Sequence, residues 1–433
     1  MPLLNATISH AVENTVYYRG VLPVDHRKIE TLDDVLRLPI LTRQDIAEHT
    51  LNMVCEGDAP QFVRNTSGTT FGALGRNPLA TFHSYDEQSL WHEVNNKHHV
   101  ESDGSTPLML RFLSIDHGLD LAKSPGMFQV PLEKMSHFHH TQGLLSAAYD
   151  FEGYSNQILG LVGTLSRIKL FTTICMDQNI DPKTMGLQFI GCHSQLLTDR
   201  WRQLLENYWG VTPTEYYGIS EIPGLIGDRC LECGGYHLSP LAYIEMLDPE
   251  TMEPVTSGPA RLIATGLYPL IKTQPLIRYD SEDIVWLNDL ECSQAFTPSF
   301  EYVGRAMDVL THRIDNRTCL LVDPMSVHNI LDSEPSIAVK QNDRSMIFGV
   351  TSLGFPKYKI SHSKGDKGLS VHIDVELMWH PQYFPDRAAA LHESLYEKLV
   401  AHTEDLPIAV ECGLVEFTLQ FLPPDSLDSV TEA

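Results

Sequence analysis

Thr66-Ser67-Gly68-Thr69-Thr70 brings hydroxyls, backbone N–H groups and a glycine into one short run. That combination suits an anion cradle for polyphosphate. It is not a Walker A loop, because the Gly-Lys-Ser/Thr ending is absent. Taken alone, such a run is more often an ordinary loop. A second group, Tyr216-Tyr217-Gly218-Ile219-Ser220-Glu221, follows an expected strand. A carboxylate at the carboxyl end of a parallel strand sits where such sheets bind ligands, so Glu221 is a candidate for Mg²⁺ on phosphate oxygens. The plain alternative is a turn with a solvated glutamate. The third group is Arg278-Tyr279-Asp280-Ser281-Glu282-Asp283, with Gly304-Arg305-Ala306-Met307-Asp308 beyond it. Carboxylates accept from ribose hydroxyls and arginine pairs with phosphate, although singly these residues more often make surface ion pairs.

Cys230-Leu231-Glu232-Cys233-Gly234-Gly235-Tyr236-His237 has the Cys-x2-Cys-x3-His spacing of a tetrahedral zinc site. Cys292 is the candidate fourth ligand, and free thiols in a loop are the alternative. Four protein ligands would make the metal structural, with no open position for catalysis. His137-Phe138-His139-His140 is the other histidine cluster. Pocket lining by Phe138 or His139 is favoured there over a second metal, since neutral histidines on loops or strands usually serve packing or hydrogen bonding.

These groups need elements to hold them. Residues 1–60 read as helical, and Thr42 with Asp45 three on marks a helix start. Leu187 to Ile190 reads as a strand stopped by Gly191. A helix follows, capped by Thr198 or Asp199, with Trp201, Leu204, Leu205 and Tyr208 on one apolar face and Gly210 ending it. Pro213 to Tyr216 is the next strand. Strand, helix and strand in this span make a βαβ unit, so a parallel sheet is expected. Arg261–Thr265 and Asp283–Leu287 read as later strands. Past Asp308 the character changes to short strands (320–322, 346–350, 369–375) and a helix near Asp386–Ala401. The expectation is an α/β fold: a large multi-layer N-terminal domain, residues 1–308, and a small α+β domain, residues 309–433. The acidic end from about Pro424 reads as frayed.

Lysine and arginine total 31 against 56 aspartate and glutamate, a formal charge of −25. Nucleic acid and anionic membrane both need a basic footprint, so neither is an expected partner. A nucleotide stays possible through local N–H groups and a few arginines. No basic stretch leading into a long apolar run opens the chain, and no run reaches about 18 apolar residues. Eight cysteines then read as reduced thiols. The expected location is the cytoplasm, and a homodimer is one option for assembly.

Order and spacing together are more specific than any one group. The chain resembles the adenylate-forming superfamily, and within it the phenylacetate-CoA ligase-like branch. The resemblance runs from Asn14–Arg19 and Ile29–Arg43 through TSGTT, the FIGCH–YYGISE stretch, IRYDSED and YVGRAMDVL. It implies a large adenylate-forming domain with a small mobile lid. It also implies MgATP-dependent activation of a carboxylic acid, aromatic in one reading, as acyl-AMP, with transfer to CoA. An amine or another small nucleophile in a specialised biosynthetic step is the alternative acceptor, and a degenerate nucleotide binder is the alternative class.

By that resemblance Thr66, Ser67, Gly68, Thr69 and Thr70 hold phosphates. Gly191, Cys192 and His193 lie along adenine. Tyr217 flanks the base, Tyr216 and Gly218 belong to the same nucleotide-binding segment, and Ser220 and Glu221 stand at the α-phosphate and Mg²⁺. Asp283 holds the ribose with Arg305 beside it, and Asp308 is the hinge. Glu221, Thr69 and Arg305 form the catalytic set. Two departures stand out: the phosphate loop lacks the usual lysine, and no Lys or Arg follows Lys398. Arg76, Lys357 and Lys359 are the candidate substitutes.

Overall fold

The computed structural model describes residues 1–22, 28–57, 60–65, 79–95, 104–113, 126–224, 226–288, 292–293, 298–340, 354–365 and 368–427. Strands β1 (Phe62–Asn65) and β2 (Ala80–His83) form a separate antiparallel pair. An eleven-stranded sheet forms the centre of the large domain. One half is parallel: β3 (Thr106–Phe112), β4 (Met127–Val130), β5 (Tyr154–Thr164), β6 (Phe189–His193) and β7 (Thr214–Gly218), in spatial order β4-β3-β5-β6-β7. The other half is antiparallel: β8 (Ile226–Arg229), β9 (Tyr236–Leu238), β10 (Ala242–Leu247), β11 (Gly258–Gly266), β12 (Tyr279–Leu287) and β13 (Phe300–Arg305), in order β8-β9-β13-β12-β11-β10. The sheet changes sense between β7 and β8.

The parallel half follows from its sequence. Ile158 to Val162 is a near-continuous apolar run, as a strand covered on both faces requires. Helices Leu165–Asp177 and Asp199–Trp209 carry the chain from β5 to β6 and from β6 to β7. Thr198 caps the second by accepting from the Trp201 N–H, and Gly210 ends it at φ +70°. Its fully buried face is Trp201, Leu205 and Trp209, with Leu204 and Tyr208 packed at the margin. Strand β6 does not stop at Gly191 as expected; it continues to His193 because its parallel pairing with β5 runs on to Thr164↔His193. A Cβ on Gly191 would stand 2.8 Å from the Tyr216 ring, so glycine here makes room for the neighbouring strand's tyrosine rather than ending its own.

Four short helices open the chain: Pro2–Asn14, Val16–Val21, Leu32–Leu36 and Arg43–His49. The expected Thr42–Asp45 capping box is formed, each side chain taking the other's backbone N–H. Just before it, Leu41 bridges to β12: its N–H donates to Arg278 O and its carbonyl accepts from Asp280 N–H, each 2.9 Å. Arg278 completes the join. Buried at φ +50°, it forks onto Glu245 and donates to the carbonyls of Leu36 and Leu38.

Beyond β13 a hairpin, Leu310–Ile314 and Arg317–Val322, shares its faces. Leu320 packs with Val309 and with Ile284 and Val303 of the large domain, while Cys319, Leu321 and Val322 join the core of the small one. That small core lies under a three-stranded sheet, Tyr358–Gly365, Gly368–Glu376 and Val415–Leu422, with helices Pro324–Asp332, Pro385–Val400 and Asp405–Glu411. The small unit is α+β, as expected. The strands Tyr358–Gly365 and Val415–Leu422 and the helices Pro324–Asp332 and Asp405–Glu411 are additions to the expected elements, and the expected strand at 346–350 lies outside the described residues. None of the described helices is long and apolar enough to cross a membrane.

Candidate active site

The sheet changes sense between β7 and β8, and the candidate groups converge near the carboxyl end of β7. Tyr217, on β7, donates its hydroxyl to Asp283 Oδ2 at 2.6 Å. Arg305, at the end of β13, stands 2.9 Å from Asp283 Oδ1 and donates to Ser281 O at 2.6 Å. Asp283 and Arg305 face each other in the β12–β13 register, so pairing sets that ion pair. Asp283 is 3 % exposed. Burial raises its carboxyl above the ordinary range, while the Arg305 charge and the Tyr217 hydroxyl pull it down. Arg305 is held more basic than usual, chiefly by Asp283.

Glu221 lies just past β7 and is buried. Its Oε1 accepts from the Tyr279 hydroxyl at 2.7 Å and lies 3.3 Å from Arg43 Nη1. Burial, then Glu221, pushes the Tyr279 hydroxyl well up, so it stays a proton donor. Arg43 was not singled out as a site residue. Its signal was the Thr42 cap, which starts a helix at Arg43 beside the Leu41 bridge to β12 and so delivers a cation to Glu221.

His193 follows on β6, its Nδ1 2.8 Å from Ser194 Oγ. Cys192 points the other way, into the parallel-half core, and burial pushes its thiol up to about 12; only its backbone faces with Gly191 and His193. Gly218 and Ser220 continue from β7 to Glu221. Asp308 is exposed in the turn between β13 and the hairpin, its N–H donating to Arg305 O at 2.9 Å. Thr66, Ser67, Gly68, Thr69, Thr70 and Arg76 lie outside the described residues. Of the candidate substitute cations, Lys357 is committed to the buried carboxylate of Glu376 at 2.7 Å, and Lys359 is exposed.

The cysteine motif forms a knuckle between β8 and β9. Cys230 N–H donates to Gly235 O at 2.8 Å, Gly234 N–H to Cys230 O at 3.0 Å, and Gly234 turns at φ +75°. Cys292, on the β12–β13 connection, meets it: its Sγ is 3.6 Å from Cys230 Sγ, and Cys233 Sγ is 3.2 Å from His237 Nε2. All four donor atoms lie within 4.8 Å of one another. Tetrahedral ligands at ~2.0–2.3 Å from zinc stand about 3.3–3.8 Å apart, so three thiols and an imidazole at these spacings fit the ion. Burial raises the Cys230 thiol, but N–H groups of Cys233 and Glu232 and the neighbouring thiols outweigh it and hold the pKa below the usual value.

The histidine cluster behaves differently. It lies on a helix, Met135–Ser146, not a loop or strand. Phe138 is fully buried against Phe171 in the core, so it lines no pocket, while His139 and His140 are exposed. His137 Nδ1 accepts from the Glu133 N–H at 3.2 Å. Among the described residues, the Cys230–Cys233–His237–Cys292 set is the metal-capable cluster found.

A sheet that turns from parallel to antiparallel, with a small α+β unit after it, is a fold shared with solved structures of an acyl-CoA ligase and an acyl acid amido synthetase. The chain is 24% identical over 354 residues to a phenylacetate-coenzyme A ligase from Thermus thermophilus, covering 77% of this chain and 74% of that one. An open conformation of a 2-hydroxyisobutyryl-CoA ligase, in complex with its acyl-AMP and CoA, superposes over 99% of this chain and 88% of its own at TM-score 0.65 and 15% identity. An acyl acid amido synthetase matches 99% of this chain and 86% of its own at TM-score 0.58 and 14% identity. No family model matches the chain.

Proposed function

We propose that this chain is an AMP-forming acid ligase. A substrate carboxylate oxygen attacks the α-phosphorus of ATP and pyrophosphate leaves. A CoA thiol then attacks the acyl carbonyl, AMP leaves, and the thiol proton passes to solvent. The observation that carries this reading is the double constellation Tyr217–Asp283–Arg305 and Tyr279–Glu221–Arg43 at the one place where the sheet reverses sense.

In this reading Asp283 accepts from the ribose hydroxyls, with Arg305 beside it. Tyr217 flanks adenine on one side, with Tyr216 and Gly218 in the same segment, and the Gly191–His193 strand lies along it. Ser220 and Glu221 meet the α-phosphate, where Mg²⁺ held by Glu221 would neutralise phosphate charge. Thr66 to Thr70 cradle the phosphates, with Thr69 in the catalytic set. Arg43, a partly buried cation beside Glu221, is set to offset phosphate charge there, since catalysis here is mainly positioning and electrostatics. The small domain turns at Asp308 to admit the acceptor. Zinc at Cys230, Cys233, His237 and Cys292 is structural, its four protein ligands leaving no open position. The cytoplasm is the location that fits reduced thiols.

A panel of carboxylic acids assayed for ATP–pyrophosphate exchange, then for product with CoA or with an amine, tests the reading. Exchange with an acid and thioester with CoA are expected. Amide without thioester would move the chain to the amine-acylating alternative. ATP binding without exchange for any acid would leave a degenerate nucleotide binder.

A further inference from the structure

The metal centre sits at the weakest join of the large sheet. Strands β8 and β9 pair through three residues, and β12 and β13 through five. Between β9 and β13 the register holds one pair, Tyr236↔Phe300. The candidate nucleotide site straddles that join. Tyr217 and Glu221 belong to the β7 side; Asp283, Arg305 and Tyr279 belong to the β12–β13 side. The hydrogen bonds that build the site cross from one side to the other: Tyr217 to Asp283 at 2.6 Å and Tyr279 to Glu221 at 2.7 Å.

Two further directional contacts cross the join at the surface. Arg229 and Glu301 span it at 3.8 Å but are substantially exposed, and Ser293 reaches Glu232 at the surface. Exposed pairs of this kind contribute little. The apolar core beneath is shared, with Ile219 and Leu238 from one side against Val285 and Phe300 from the other. Apolar contact is non-directional, so it keeps the two sides together without setting their register. The metal ligands divide across the join: Cys230, Cys233 and His237 on the β8–β9 knuckle, Cys292 on the β12–β13 connection. His237 follows Tyr236, the lone paired residue. The rings of Tyr236 and Phe300 lie 5.8 Å apart, and Phe300 meets Tyr217 edge-on at 5.4 Å. Movement at the join therefore reaches the tyrosine that holds Asp283.

We propose that a zinc ion at Cys230, Cys233, His237 and Cys292 welds the two halves of the sheet together and thereby sets nucleotide affinity, the four ligands acting as positioning residues. This rests on the metal and nucleotide readings above.

The test uses the full chain with AMP, which binds without Mg²⁺, so a chelator cannot act through the nucleotide's own metal. Zinc content is measured first, and about one equivalent is expected. The protein is then stripped, freed of chelator and assayed by calorimetry and amide exchange. AMP affinity should fall on the order of tenfold or more, as loss of sub-ångström positioning demands, and return with added zinc. Exchange should rise in peptides covering residues 226–238 and 298–305 while residues 154–193 stay protected. Cys292→Ser should reproduce both effects. Absence of zinc would remove the metal reading and the weld with it, and holo protein that ignores AMP would remove the nucleotide reading. Bound zinc whose removal leaves AMP affinity or local protection unchanged would overturn the weld alone. Exchange rising throughout the chain would also overturn it, by making the metal a requirement of the whole fold.

Discussion

Asp283 carries three obligations: it is buried, it answers Arg305, and it accepts from Tyr217. A buried carboxylate whose Oδ2 takes the Tyr217 hydroxyl and whose Oδ1, near Arg305, takes no hydrogen bond from the described residues keeps an acceptor for a ribose hydroxyl. Asp283→Ala should therefore weaken AMP binding by ~1.5–3 kcal/mol, the worth of a charged hydrogen bond, and calorimetry reads this directly. An unchanged affinity would remove Asp283 from the site. Arg43 makes a different claim. It stands 3.3 Å from Glu221, the residue assigned to the α-phosphate. Arg43→Ala should then lower pyrophosphate exchange on the order of 10²-fold with AMP affinity nearly constant. Equal losses in both would mean that it only supports the fold.

At the scale of elements, caps and buried histidines tie helices to their neighbours. His402 follows the helix Pro385–Val400. Its Nδ1 bonds Leu399 O, and its Nε2 accepts from the Asp323 N–H at 3.0 Å, at the cap of helix Pro324–Asp332. Burial pushes its pKa from 6.5 down to about 4, against the Leu399 bond. Between those values the unfolded chain binds a proton that the native one refuses. Stability is thus full above about pH 6.5 and is lost as pH falls towards 4. His83, lowered to about 3, and His328, lowered to about 4, act in the same direction. Glutamine can supply both bonds without titrating, so His402→Gln should flatten the fall of Tm across this window. A slope identical to the parent's would show that His402 does not drive it.

At the scale of the molecule, the small domain docks through the end of helix Pro324–Asp332 onto the start of helix Asp199–Trp209. Thr198 Oγ1 donates to Asp332 Oδ2 at 2.6 Å, and Asp199 N–H and Asn329 Nδ2 complete a reciprocal pair at 2.8 Å each. If the small domain turns at Asp308 as proposed, polar contacts such as these would be the ones to break and re-form, since a large apolar interface would hold it in place. The double change Asn329→Ala with Asp332→Ala should loosen the unit, widening the small-angle scattering profile while both domains stay folded. A profile superimposable on the parent's would show that these bonds do not set the arrangement.

Much of this could be read along the chain. The Thr42 and Thr198 caps, the Gly210 stop and the βαβ unit are local matters of side-chain acceptors, backbone dihedrals and period, and all formed as read. The cysteine knuckle was legible because its candidate donors are only a few residues apart, and Cys292 because it precedes the Gly304–Asp308 segment. Other features needed the fold. Gly191 looked like a strand stop until Tyr216 lay across it. Phe138 looked like pocket lining until its helix turned it into the core. Lys357 looked like a spare cation until it met Glu376 nineteen residues on, and Arg43 looked like part of a cap until it reached Glu221, 178 residues away. Local pattern determines which element a residue joins, because caps and periodicity act over a few residues. Which face it presents, and to whom, is decided by pairings between distant strands, and a single chain of residue types does not carry those.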